Sequence, residues 1–402
     1  MSVILKRKNT VSENLIYLAF ASVFMHFIIT GIVLVVLGFY FIISNTARKK
    51  AFAFSGKTLL LIFTCYAVFI ALIRDNFIGL ACAIGFFFIF VISYYVRSEI
   101  TSDIFQRALD ISCWMCWVVF LTVWAEKMMQ SHQSDYRCEG LFKWFFNSNY
   151  LGSLMAMMIV VCVYKLLISQ KGKPFYVITA LLCVMSIYLS GSILAFIEVI
   201  VGILALLILY KKHSLVIAFV AFATFVVLLL FIFPDIFPRI LDLESTTNNR
   251  IKVWDSSIEF IKISPLFGHG FLSYHHLHEL YGSLWEKGHH THNFILEPIL
   301  NFGVIGTILF VTYLWSYYEK VSECKSLLRK TKVTNLILAI SAATITHCAV
   351  DLTVQWIQTG LLFVLILGGI GVDEKTLERR IKACLTKSEK QNKSSEEEIN
   401  NG

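Results

Sequence analysis

This chain of 402 residues is predicted to be an all-α integral membrane protein of about twelve transmembrane helices, with one large extracytoplasmic loop that carries short helices. Three observations predict it. Hydrophobic residues make up 57% and charged residues only 15%, and the mean hydropathy is +0.70, whereas charged residues are about a quarter of a soluble domain. Apolar runs of roughly 15 to 25 residues recur along nearly the whole length, each able to cross a core of about 30 Å at about 1.5 Å per residue. Lysines and arginines gather in alternate connections between those runs, as they do where short basic loops stay cytoplasmic. Helices are the form such runs take, because lipid offers unpaired backbone groups nothing to bond.

The runs place spans near 14–29, 30–45, 58–74, 77–96, 108–128, 150–169, 174–190, 191–210, 214–233, 293–318, 333–352 and 355–372, with the first two meeting at Thr30-Gly31. With the N-terminus cytoplasmic, the segments on that side hold 26 of the 35 Lys and Arg, among them Lys6/Arg7/Lys8, Arg48/Lys49/Lys50 and Lys211/Lys212. The formal charge of +8 therefore reports topology and gives no case for nucleic acid as a partner. The organisation is thus nine spans over 1–233 with an outer loop at 129–149, a large outer segment at 234–292, three spans over 293–372, and a cytoplasmic, disordered tail at 373–402. No small-residue cleavage site follows the first apolar stretch, so that span is expected to remain. Of ten cysteines only Cys138 falls in an outer loop, which argues against a disulfide framework.

Three outer regions can carry chemistry. The loop 129–149 combines Arg137, Glu139 and Lys143 with aromatic residues of the kind that anchor chains at a membrane interface. Ser190-Gly191-Ser192 makes a tight hairpin whose small residues allow close helix approach. Glu198 follows one or two turns into the next span, where an acid costs about 2.5 to 3.5 kcal/mol and usually faces a cavity or a partner.

The segment 234–292 is too long for an idle connection. Ile251, Trp254, Ile258 and Ile261 fall at helical spacing after Thr246-Thr247-Asn248-Asn249, and Ser264-Pro265 ends the run. That reading puts Arg250 in a first helical turn, where free N–H groups and a guanidinium would together hold a phosphate; an ordinary surface arginine would look the same. Seven of the eleven histidines lie here: His269, His275, His276, His278, His289, His290 and His292. Neither His-His-Leu-His-Glu nor His-His-Thr-His has the His-Glu-x-x-His spacing that places two ligands and a base on one helical face, so no metal is expected. His292 is the best placed as a general base, because Asn293 can cap the following helix and its dipole favours neutral imidazole.

Arg250-x-x-x-Trp254, Ser264-Pro265-Leu266-Phe267-Gly268-His269-Gly270, and His292-Asn293 followed by nine residues and Gly303-x-x-Gly306 together resemble the O-antigen ligase and Wzy-type polymerase superfamily of bacterial surface-glycan assembly. Arg137 to Gly140 and Asn147-Ser148-Asn149 resemble its Arg-x-x-Gly and Asn-x-Asn element. The resemblance implies transfer of an undecaprenyl-diphosphate-linked glycan to a glycan or lipid-linked acceptor on the outer face of the cytoplasmic membrane, without a cofactor. It implies a loop histidine as base and arginines on the diphosphate, here His292 with Arg250 and Arg137; Asn293, Arg239, Glu139, Glu198 and His269 are further candidate substrate contacts. One departure is Ile193, which stands where many members carry an arginine after Ser-x-Ser. A ligase-like enzyme is the reading the late-loop signature favours, with a repeat-unit polymerase as its alternative. A lipid-linked sugar transporter would concentrate its polar groups at mid-membrane, whereas here they crowd the outer loops.

Overall fold

A computed structural model describes residues 10–54, 56–130, 136–233, 235, 237–281, 288–328 and 332–400, with side chains described as far as Thr386 except at 230, 231 and 238. The described residues are helical or irregular, with no strand among them. In order the helices are α1 (Val11–Ser22), α2 (Phe27–Ile43), α3 (Asn45–Ala51), α4 (Lys57–Ile73), α5 (Phe77–Glu99), α6 (Ser102–Met129), α7 (Ser148–Ile168), α8 (Lys173–Ser190), α9 (Ile193–Leu209), α10 (His213–Ile232), α11 (Leu243–Ile263), α12 (Ser273–Tyr281), α13 (Leu296–Leu327), α14 (Lys332–Cys348), α15 (Ile357–Gly368) and α16 (Ile370–Asn400).

Each of the twelve expected segments carries a helix, but length separates them. Helices α5, α6, α7, α8 and α13 and the run Ile357–Thr386 are long and apolar enough to cross a membrane, and the pair α2–α3, bent by 102°, would make a seventh crossing. Helices α4, α9 and α10 are shorter apolar helices. Helix α1 has 12 residues, about 18 Å of rise, well short of a core of about 30 Å. The first break lies at 23–26 and not at Thr30-Gly31, because the His26 ring accepts from Ile28 N at 3.3 Å and Thr30 Oγ1 donates back to Ser22 O at 2.8 Å. Residues 373–400, expected as a disordered tail, lie in α16; Lys, Glu and Leu among them are good helix formers.

The centre of the bundle is α7, which packs against α8, α9 and α14 and buries most of its length. Small residues set those approaches: Gly152 sits against Ser192 and Ala195, and Gly202 against Val160 and Ala343. At the periphery α10 buries none of its described side chains and packs on α9.

Helix α13 is broken at Gly303, whose φ of 63° and ψ of −173° are not helical. The broken backbone pairs with the segment 265–270. Val304 N and Ile305 N donate to Pro265 O at 2.9 Å and Leu266 O at 3.2 Å, while Asn301 O accepts from His269 N at 3.1 Å and Gly270 N at 2.7 Å. Tyr66 of α4 closes the joint, its hydroxyl donating to Phe267 O at 3.0 Å and Phe302 O at 2.8 Å. The two glycines of the Gly-x-x-Gly motif have separate roles, since Gly303 makes the break and Gly306 admits the Tyr66 ring.

A Cβ at residue 303 would collide with the Leu266 carbonyl and would also hold an L residue in the left-handed region. Gly303→Ala is expected to lower stability by about 2 to 5 kcal/mol, the sum of left-handed strain and overpacking. Thermal unfolding in detergent checks this: an unchanged Tm would mean that the 265–270 hook is loose.

Candidate active site

Helices α6, α7, α8, α9, α13 and α14 each have one terminus near a common end of the bundle, and the side chains of interest converge there. The first turn of α13 is fixed by Asn293, whose Oδ1 accepts from Ile295 N at 2.8 Å and Leu296 N at 3.1 Å. This is the capping role its position predicts. Phe294 N donates to Cys348 O at 3.0 Å and Asn293 Nδ2 to Ala349 O at 3.3 Å, which lays this turn along the end of α14. Asp351 is set just beyond, its N–H donating to His347 O at 2.9 Å.

The result is a buried carboxylate shared by several partners. Asp351 is 2% exposed; its Oδ1 lies 2.8 Å from His292 Nδ1 and 3.4 Å from His290 Nε2. Its Oδ2 accepts from Asn149 Nδ2 and lies 3.7 Å from an Arg250 Nη. Asn149 in turn accepts from Arg137 at 2.7 Å, and Arg137 Nε donates to Ser190 O at 3.0 Å. Two arginines and two histidines are thus gathered around one acid. The His292 backbone has φ of 54°, an uncommon conformation for a non-glycine residue and one that clusters at functional sites.

Burial alone would raise Asp351, yet the hydrogen bonds and charges of His290 and His292 hold its carboxyl well below the usual carboxylate range. The reciprocal effect acts on His290. Burial opposes its cation, but the Asp351 hydrogen bond and charge prevail and raise it. Arg137 is lowered to about 10 by burial first and then by the charge of Arg239. Arg250 is also lowered, by burial and by Arg239 against the pull of Asp351. Burial is thus the main cause for both, with the Arg239 charge adding to it, and buried guanidinium groups set near one another favour an anion.

Four expected residues meet here: His292, Asn293, Arg250 and Arg137. Arg250 is in the third turn of α11 and not the first, because the helix begins at Leu243. Its Ser/Thr/Asn run is absorbed into exposed helix, with Arg239 bonding Thr246 at 3.0 Å and Asp242 at 2.8 Å. Along the helical stripe Ile251 and Ile258 are exposed and Trp254 and Ile261 half-buried, while Val253, Ser257 and Phe260 form the buried face. Glu139 lies two residues from Arg137, its carboxyl raised chiefly by burial. His269 is buried with Nε2 on Phe260 O at 3.2 Å, and burial followed by the Arg74 charge lowers it to about 4. Glu198 is fully buried in α9, its Oε2 2.6 Å from His347 Nδ1.

Two acids that sequence reasoning missed hold the site in place. Glu126 accepts from Tyr136 Oη at 2.8 Å, Glu139 N at 3.0 Å and Gly140 N at 2.7 Å, pinning the loop that carries Arg137. Glu297 accepts from Thr291 N at 2.8 Å and Asn301 Nδ2 at 3.0 Å, fixing the turn that carries His292. Asp351 itself was visible only as an acid near a span end. His290, His292 and Asp351 offer atoms within 4.8 Å of one another, near enough to share a metal ion, although Arg250 already faces the same carboxylate.

Two comparisons with known proteins bear on this arrangement. Residues 178–311 match the O-antigen ligase family, a stretch that includes Arg250, His290, His292 and the Gly303 break but neither Arg137 nor Asp351. A stretch of 100 residues is 29% identical to a protein of Rickettsia felis named "Putative polysaccharide ligase", covering 23% of this chain and 25% of that protein. The chain thus spans about a quarter of the length of the curated relative it matches. Both bear out the resemblance to the O-antigen ligase superfamily drawn from the motifs.

The ionisation of this cluster has a readable sign. Asp351, depressed when folded, contributes stability above its unfolded value of about 3.9, lost as pH falls through the folded value. His290, raised when folded, contributes below about 6.5 and loses that contribution as pH rises through its folded value. The Tm difference between wild type and Asp351→Asn should therefore be largest between these limits and shrink as pH rises above about 6.5. A difference that grows with pH would mean that His290 is not the cation facing Asp351.

Proposed function

We propose that this protein is a ligase-like glycosyltransferase that moves an undecaprenyl-diphosphate-linked glycan to an acceptor hydroxyl on the outer face of the bacterial cytoplasmic membrane. In this reading the chain crosses the membrane twelve times, the short helices crossing only where the bilayer thins locally. Both termini are cytoplasmic and the Asp351 cluster is extracytoplasmic. The observation that carries the proposal is the 2.8 Å contact between His292 Nδ1 and the buried Asp351 carboxylate, set beside Arg250 and Arg137. The match to the O-antigen ligase family supports it.

The parts fit the chemistry. Asp351 holds Nδ1 of His292 as the donor, so Nε2 carries the lone pair, as in a carboxylate–histidine–hydroxyl arrangement. Nε2 takes the acceptor's proton while its oxygen attacks the anomeric carbon. The bond between that carbon and the phosphate oxygen breaks as the new glycosidic bond forms, and undecaprenyl diphosphate leaves with the electron pair. Arg137, Arg239 and Arg250 supply positive charge where the leaving group gains negative charge. The arginine replaced by Ile193 is compensated by Arg137, whose guanidinium rests on the Ser190 carbonyl of the same hairpin. No metal is needed in this scheme, since the arginines do the work of a cation.

The test is glycan transfer by purified protein in lipid with undecaprenyl-diphosphate oligosaccharide, a separate acceptor and EDTA. His292→Ala should lower kcat by about 10²- to 10⁴-fold, and Arg250→Ala by about 10²- to 10³-fold. Transfer to the separate acceptor supports a ligase. A longer lipid-linked glycan formed without it identifies a polymerase instead, and translocation without transfer would replace both with a transporter. Full activity in His292→Ala would remove the base proposed here.

A further inference from the structure

Glu198 and His347 form a second titratable pair, below the active site and outside the chemistry described above. Both side chains are 0% exposed, and Glu198 Oε2 lies 2.6 Å from His347 Nδ1. Glu198 Oε1 and His347 Nε2 are buried with no hydrogen-bond partner. As a source of stability this is a poor arrangement: desolvating two ionisable groups is unfavourable, the unpartnered atoms add to that, and apolar residues of similar volume usually hold helices at least as well.

What an apolar contact cannot do is fix register. The α7, α9 and α14 interfaces are lined by Gly152, Ala195, Gly202 and Ala343, a smooth set of small residues along which helices can slide or rotate. A single directional bond across such an interface selects one register, as buried polar residues do in coiled coils. The two partners sit where register affects the site. His347 O accepts from Asp351 N at 2.9 Å, one turn further along the chain and just past the end of α14. Glu198 lies in the second turn of α9, which begins directly after the Ser190–Ser192 hairpin that receives Arg137 at 3.0 Å.

We propose that the Glu198–His347 pair is a positioning device, which sets the separation between the Asp351–His292 base and the Arg137 anion site by locking α9 against α14. The inference rests on the glycosyl-transfer reading. In this proposal Glu198, offered by the sequence as a substrate contact, is enclosed on His347 and does not reach substrate; each of the two residues acts through the helix that carries it. Its loss should therefore weaken alignment in the transition state more than ground-state binding.

The experiment is steady-state transfer, in the same lipid assay, by the double variant Glu198→Leu/His347→Leu and by Glu198→Gln. The double variant is expected to unfold no lower than wild type. Its kcat should fall by about 10- to 100-fold, the usual effect of removing an outer-shell partner, with KM little changed. Glu198→Gln retains an oxygen acceptor for His347 and should keep kcat within about threefold of wild type, since the bond and not the charge sets register. Full kcat in a folded double variant overturns the proposal, as does a loss confined to KM. If the double variant does not give monodisperse protein, His347→Asn, shorter and still polar, is read in its place with the same expected fall and the same overturning result. Wild-type protein that transfers no glycan refutes the glycosyl-transfer reading itself; wild-type activity that survives the loss of the pair refutes only the positioning role.

Discussion

The Asp351 carboxylate is the constraint on which the site depends. It is buried where a lone charge would be strongly unfavourable, and it stays ionised because His290, His292, Asn149 and Arg250 converge on it. Those partners come from α7, the turn before α13, and α11, so a single acid joins segments separated by up to 202 residues in the chain. Removing it would strand two arginines and two imidazoles together. The packing beneath, with α7 enclosed by α8, α9 and α14, holds the segments close enough to share it.

Much of this was legible in the sequence because lipid restricts what a chain can do. Long apolar runs must be helical, and all twelve predicted segments are. Their lengths were less legible, since composition does not show where a run is interrupted. The break at 23–26 depends on a His26 ring bond and a Thr30 hydroxyl bond made only once the chain has turned. The tail misled in another way: its charge reads as solvation, yet the same residues are good helix formers, and α16 extends through them.

At the candidate site, residue type and loop position pointed to His292, Asn293, Arg250 and Arg137, and the fold brings these four together. Their organiser escaped because it lies 59 residues from His292, at a span end where an acid is unremarkable. Glu126 and Glu297 escaped for a related reason: each works by accepting backbone N–H groups from another segment, and no local pattern signals that. The start of α11 was misplaced by a Ser/Thr/Asn run that resembles a cap. Cap propensity is a local preference, and here the helix continues upstream to Leu243 because its exposed face tolerates those residues.

The joint at Gly303 divides α13 into parts that differ in mechanical character. Before it, the first two turns are bolted to Thr291, Ser273 and the 265–270 hook through Glu297 and Asn301. After it, the helix passes as an ordinary apolar rod along α4. A ladder of hydrogen bonds transmits torque along a helix, and this ladder is interrupted, with its bonds diverted sideways into the hook. The hook grips both sides of the break, Asn301 before it and Val304 and Ile305 after it, so the course of the rod and the seating of the His292 turn are set against the same segment. The break thus acts as a clamp that indexes the rod and the imidazole to one common reference.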